Sequence, residues 1–239
     1  MSESYLLEAT GLTMRFGGVT AVDRVDFRVR HGELRCLIGP NGAGKSTFFK
    51  MLSGQLRPTS GQVSMKGVSV VRMAAAKIAR LGMGIKTQVP SVFNGLTVEQ
   101  SVRLASDRTL PSKLSQQRAT ETLERIGIAH LRKSLVGGLA HGQRQLVELA
   151  MVMAPQPDLI LLDEPAAGMT GEEVERLGEI AMELARTCSL IIVEHDIEFV
   201  RRIAKTVTVF NRGQVLAEGP VADIMADQRV RDVYLGKDV

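Results

Sequence analysis

Nine consecutive residues, Gly39, Pro40, Asn41, Gly42, Ala43, Gly44, Lys45, Ser46 and Thr47, fit the spacing G-x-x-x-x-G-K-[ST]. A triphosphate needs many backbone N–H donors converging on one anion. Side chains there would block the approach, so glycines recur. Lys45 can reach the outer phosphates, and the hydroxyl of Ser46 can ligate Mg²⁺. Two acids, Asp163 and Glu164, close the apolar run Leu159 to Leu162. Asp163 suits a magnesium ion held through its water shell, and Glu164 suits the polarisation of an attacking water. The apolar run Leu190 to Val193 leads to Glu194 and His195 in the same manner. A histidine just past a strand end can contact a γ-phosphate. Gln88 draws notice only through its order between the glycine loop and the acids.

These groups need particular elements to hold them. Leu34 to Ile38 reads as a strand entering the glycine loop, and Phe48, Phe49 and Leu52 fall at helical spacing after it. A strand, a glycine loop and a helix N-terminus together pair the helix dipole with phosphate. The runs at 159–162 and 190–193 predict central strands buried on both faces. In open α/β sheets ligands sit at the carboxyl ends of strands, where the acids and His195 fall.

Residues 5–38 read as β-structure, with Val25, Phe27 and Val29 alternating with Asp26, Arg28 and Arg30. Gln62 to Gly67 predicts a further short strand. From about 72 to 150 the character is helical. Thr97 to Gln100 is a capping-box pattern, 115–126 carries periodic Leu123 and Ile126, and Leu146, Leu149, Ala150 and Met153 share one helix face. After Pro155 strands and helices alternate, with a helix from Glu172 to Arg186. A hairpin is predicted where Thr206 to Phe210 and Gln214 to Ala217 bracket Asn211 to Gly213. The expected architecture is an α/β core with a helical insertion and an N-terminal antiparallel sheet.

The bulk numbers bound the rest. A chain of 239 residues with 44% hydrophobic content is one large globular domain or two small ones. Thirty basic residues face 26 acidic ones, a surplus of +4, with no Lys/Arg run and no basic patch interleaved with aromatics. Nucleic acid is therefore not an expected partner. No apolar stretch approaches the roughly 18–20 residues of a spanning helix. The N-terminus lacks the basic start and apolar core of a signal peptide. Cys36 and Cys188 alone make neither a disulfide framework nor a metal quartet, and are expected to be reduced and buried.

Leu139, Ala140, His141, Gly142 and Gln143 complete a set of motifs in a telling order. The chain resembles the ATP-binding subunit of an ABC transporter from about residue 5 to its end. The resemblance makes Phe16 the aromatic that stacks on adenine and Gly39 to Thr47 the Walker A loop. Gln88 becomes the Q-loop glutamine, Leu139 to Gln143 the signature motif, Asp163 and Glu164 the Walker B pair. Ala167 to Thr170 becomes the D-loop and His195 the switch histidine. It implies a P-loop NTPase (ABC ATPase) core with a mainly parallel central sheet, an N-terminal antiparallel β-subdomain and a helical insertion. That is one domain over 1–239, with its core at about 1–87 and 155–239 and its helical part at about 88–154.

The implied cofactors are ATP and Mg²⁺, the metal held by Ser46, Gln88 and Asp163. Two subunits would sandwich two ATPs, each between one Walker A loop and Ala140, His141, Gly142 and Gln143 of the other copy or of a paralogue. Glu164 would orient water, Lys45, Mg²⁺ and His195 would stabilise the charge spreading at the γ-phosphate, and Gln88 would join them as the remaining catalytic residue. The implied partners are transmembrane permease subunits and, indirectly, a periplasmic solute-binding protein. The cleft near Gln88, with helices around 90–106, would receive a coupling helix. The implied location is peripheral, on the cytoplasmic face of the inner membrane. Within the family, Asp163 to Thr170 and the ending Asp232 to Gly236 look like the branched-chain amino acid and urea/amide uptake branch. His141 looks most like the urea-type subunit, with branched-chain amino acid uptake as the alternative. More distant readings, an ATPase of DNA repair or translation or a small-molecule kinase, would need a coiled-coil insertion, tandem units or an arginine-rich lid.

The sequence departs from the family in three places. Ala140 stands where a serine hydroxyl usually meets the partner's γ-phosphate, a hydrogen bond to a charged group of about 1.5–3 kcal/mol. An imidazole at His141 offers a replacement donor. Thr87 precedes Gln88 where an aromatic is common, and Gly168 and Met169 replace a common Leu-Asp.

Overall fold

The computed structural model describes residues 5–88, 92–107 and 110–234. The chain opens with β1 (Leu7–Phe16), β2 (Val19–Val29), β3 (Leu34–Ile38) and α1 (Lys45–Leu52). It continues through β4 (Ser60–Met65), β5 (Val68–Ser69), α2 (Ala75–Leu81) and β6 (Met83–Lys86). Three helices follow, α3 (Val98–Ser106), α4 (Ser112–Ile126) and α5 (His141–Met153). The last part alternates β7 (Leu159–Asp163), α6 (Gly171–Leu184), β8 (Ser189–Val193) and α7 (Ile197–Ile203). It ends in the hairpin β9 (Thr206–Asn211) and β10 (Gln214–Pro220), then α8 (Val221–Ala226) and α9 (Gln228–Tyr234).

Two sheets result. One is antiparallel, in the order β2-β1-β4-β5. Val25, Phe27 and Val29 turn inward while Asp26 and Arg28 face solvent, as the alternation predicts. The other runs β10-β9-β3-β8-β7-β6, parallel except for the hairpin pair β9-β10. This is the expected α/β fold with a mainly parallel central sheet.

The central strands serve two cores at once. Ile160, Leu162, Leu190 and Ile192 join one cluster with α5, α6 and α7. Their neighbours Leu159, Leu161, Ile191 and Val193 join the other with α1 and the antiparallel sheet. Strands buried on both faces must be apolar throughout, which explains the unbroken runs. Helix α1 lies between the sheets. Its Phe48 ring meets Phe27 of β2 edge-on at 5.3 Å and Phe210 of β9 at 4.9 Å. Arg35, a charge inside an otherwise apolar strand, is reconciled by ion pairs to Glu33 at 2.5 Å and Glu218 at 2.6 Å.

The predicted helices are found with small shifts of their ends. Thr97 caps α3 through a full box with Gln100, and Thr170 does the same for α6 with Glu173. The expected strand at 62–67 lies at Ser60–Met65. One expectation fails: the stretch 72–150 is not wholly helical, because Met83–Lys86 adds the sheet's edge strand beside β7. Four residues containing a glycine and a lysine give no periodic signal, and the pairing partner lies far along the chain. Of the expected helices around 90–106, α3 starts at Val98, residues 92–97 are non-helical with a turn at Asn94 and Gly95, and 90–91 lie outside the described residues. The ending motif is described as far as Tyr234 in α9. Cys36 and Cys188 are both free and buried, and burial pushes the Cys188 thiol up to about 11. Among the described residues no helix is long and apolar enough to cross a membrane.

Candidate functional site

The glycine loop joins the end of β3 to the start of α1. Gly44 takes φ +103, and a Cβ there would overlap the carbonyl of Ala21, so no other residue fits without moving β2. The loop is tied down from outside as well. Gly213 at the β9–β10 turn donates to Ala43 at 3.0 Å, and Asp23 donates to Gly213 at 2.8 Å. Helix α1 begins at Lys45 with no side-chain cap on Gly44 and no acid in its first turn. Its leading N–H groups are therefore open to an anion.

Lys45 is buried and its ammonium donates to the carbonyls of Gly39 at 2.6 Å and Pro40 at 3.0 Å. Burial pulls its pKa down, and Glu164 and Asp163 pull it back up. Lys45 thus lies in the electrostatic reach of both acids. Ser46 is exposed at the loop's mouth.

Asp163 ends β7, is only 4% exposed, and its Oδ1 has no hydrogen-bond partner among the described residues. Burial and the neighbouring Glu164 raise its pKa, against Lys50, Lys86 and Lys45. A buried carboxylate with an orphaned oxygen fits a hard cation, and Ser46 and Gln88 add neutral oxygens of the kind magnesium accepts. Glu164 follows at φ +46, an uncommon backbone for a residue with a side chain, held by its N–H donating to Val193 at 2.9 Å. One carboxylate oxygen accepts from Gln88 Nε2 at 2.9 Å, and the other lies 3.9 Å from His195 Nδ1. Gln88, Glu164 and His195 are thus brought together from the ends of three strands.

Phe16 closes β1 with half its surface exposed, as a stacking platform requires. Ala140, His141, Gly142 and Gln143 form the start of α5. Gln143 reaches back to the Ala140 N–H at 3.2 Å, but alanine has no oxygen to return the bond, so half a capping box stands there. The His141 ring does not point away as a free donor: its Nε2 hydrogen-bonds Ala167 O at 3.1 Å in the same chain.

Two groups escaped the sequence reading. Glu194 is 1% exposed and accepts from Ala166 N at 3.0 Å and His195 N at 3.2 Å. Lys86 and Glu148 form a buried ion pair at 3.6 Å between β6 and α5, with Lys86 lowered and Glu148 raised in pKa chiefly by burial. The one signal for either was a charge in an apolar setting.

Residues 22–167 match the family described as ABC transporter, and residues 214–239 match that of the branched-chain amino acid ATP-binding cassette transporter. The high-affinity branched-chain amino acid transport ATP-binding protein LivG of Escherichia coli K12 is 33% identical over 97% of this chain and 98% of its own length. The corresponding BraF protein of Pseudomonas aeruginosa is 32% identical over 97% of this chain and 98% of its own. Among solved structures, the ADP conformation of MJ1267, an ATP-binding cassette of an ABC transporter, superposes with TM-score 0.87 at 25% identity, covering 98% of this chain and all of that one. The cbiO1 protein of Clostridium perfringens, part of the cbiONQ transporter complex, gives 0.84 at 29% identity, covering 98% and 96%. On these matches, which run over most of its length, the chain belongs to the ABC transporter family, in its branched-chain amino acid (LivG-like) branch, as an ATP-hydrolysing transporter subunit.

Proposed function

We propose that this ATPase energises the uptake of branched-chain amino acids. The observation that carries the site reading is the convergence of Gln88 and His195 on Glu164, beside the orphaned oxygen of Asp163. The solute class is supported by the names of the LivG and BraF relatives and by the match over 214–239. Urea or a short-chain amide, which the sequence reading puts first on the strength of His141, has no comparable support. The structure also gives that side chain an intramolecular partner.

In this reading 1–239 works as one ATPase domain, with its core at about 1–87 and 155–239 and its helical part at about 88–154. Phe16 stacks the adenine. Gly39, Pro40, Asn41, Gly42, Ala43, Gly44, Lys45, Ser46 and Thr47 wrap the phosphates, with Lys45 exchanging the Gly39 and Pro40 carbonyls for phosphate oxygens. Asp163, Ser46 and Gln88 would hold Mg²⁺, which neutralises charge on the phosphates when bound. The Gln88 amide is suited to two tasks, since Nε2 engages Glu164 and Oε1 is left for the cation. Glu164 orients the attacking water, and His195 lies next to it to stabilise charge at the γ-phosphate.

The turn from Ala140 to Gln143 serves the partner subunit's ATP across a dimer through its backbone N–H groups and the α5 N-terminus, while the His141 ring stays with its own subunit. Permease subunits dock near Gln88 on the cytoplasmic face of the membrane and couple closure to transport, with a periplasmic binding protein delivering the solute. The test is uptake of labelled leucine and labelled urea in cells lacking the gene, complemented with wild type or Glu164→Gln. Leucine uptake restored by wild type alone is expected. Restoration of urea uptake alone overturns the assignment.

A further inference from the structure

The start of α5 and the segment that follows Glu164 interlock within one subunit. His141 Nε2 lies 3.1 Å from Ala167 O and 3.2 Å from the Gln145 amide nitrogen, while Gln145 Oε1 is buried with no hydrogen-bond partner among the described residues. A half-turn of that amide places Oε1 on the imidazole N–H, which Ala167 and Gln145 then share. The Ala167 carbonyl can only accept, so this arrangement requires the proton on Nε2. The ring rests on Gly168, where a Cβ would stand 3.1 Å from Nε2 and 3.2 Å from Cδ2. The adjacent Gly142 is equally constrained: a Cβ there would overlap the Glu173 carboxylate. That carboxylate is fixed by bonds from Thr170 N at 2.9 Å and Thr170 Oγ1 at 3.1 Å. Ala167 in turn donates its N–H to Glu164 O at 3.2 Å.

We propose that His141 is a positioning residue that locks the first turn of α5 to the turn carrying Glu164. The inference rests on the dimer reading above, in which α5 faces the partner's nucleotide while Glu164 serves the subunit's own. The imidazole then acts inward, setting two sites in register, and does not replace the serine hydroxyl missing at Ala140. Gly142 and Gly168 are the small residues that let the two turns approach.

The full-length protein tests this with His141→Phe, which keeps a ring without a donor, and His141→Gln, whose amide reaches about as far as Nε2. Phe should lower kcat by about tenfold with KM and calorimetric ATP affinity unchanged, and Gln should restore kcat to within about threefold. Wild-type kcat in His141→Phe, or equal loss in both variants, overturns the proposal. So does a rise in KM alone, which would mark a phosphate contact. Independently of folding of the variants, ¹⁵N-histidine NMR of the wild type at about pH 8 should show the Nε2–H tautomer for His141, and the Nδ1–H tautomer overturns it. If Glu164→Gln does not associate on ATP, the dimer reading fails instead, and the kcat comparison still decides the role of His141.

Discussion

The ends of β7 and β8 invite comparison, because each apolar strand delivers a buried acid followed by a more exposed titratable group. β7 ends on Asp163 and is followed by Glu164; β8 ends on Val193 and is followed by Glu194 and His195. The two buried acids are nearly equally inaccessible, at 4% and 1% exposure, and burial raises both pKa values. Their bonding separates them. Glu194 accepts backbone N–H groups on both oxygens, from Ala166 and His195. Asp163 leaves Oδ1 without a partner among the described residues. A saturated carboxylate fixes backbone; an unsaturated one carries a desolvation cost of about 1–3 kcal/mol unless a ligand supplies the missing contact. Two similar strand endings thus differ in bonding: Glu194 is spent on the backbone, and Asp163 keeps an oxygen for the cation that the proposed function assigns to it.

The comparison breaks most sharply at Glu164. Glu164→Gln should cut steady-state phosphate release by about 100-fold or more while calorimetry still finds ATP binding. Undiminished turnover would remove Glu164 from its role. Asp163→Asn should depress Mg²⁺-dependent hydrolysis by about 100-fold, yet its melting temperature without nucleotide should equal or exceed that of wild type, because a poorly compensated buried charge is gone. A clear fall in melting temperature would make Asp163 structural and erase the distinction. Glu194→Ala should behave oppositely, losing about 2–4 kcal/mol of stability by denaturant titration as two N–H groups lose their acceptor.

The smallest effect concerns pH. Burial holds the Glu194 carboxyl above its ordinary range, so the folded chain keeps that proton to higher pH than the unfolded chain does. Its contribution to stability is fullest below the unfolded carboxylate range and is lost as pH rises through the folded value. The stability gap between wild type and Glu194→Ala should therefore be wider at about pH 5 than at about pH 8. A gap that widens with pH would mean that the backbone bonds, not burial, dominate at Glu194.

Much of the site could be read from the chain because its parts are contiguous. The loop from Gly39 to Thr47 and the acids after Leu162 each occupy one strand end, and local spacing carries their chemistry. The hairpin at Asn211 to Gly213 and the capping box at Thr97 were legible for the same reason. Strand β6 was not, since an edge strand of four residues is stabilised by its neighbour rather than by its own pattern.

By itself the sequence determined which groups we propose for a triphosphate, because backbone N–H convergence and strand-end acids are properties of short segments. Only the tertiary structure decided what the remaining polar groups do. Ala166 and Glu194 lie 28 residues apart, His141 and Ala167 lie 26 apart, and Lys86 meets Glu148 from another element entirely. Whether a buried carboxylate is saturated, or an imidazole turns inward, depends on which distant backbone folding brings beside it, and residue spacing along the chain carries no record of that.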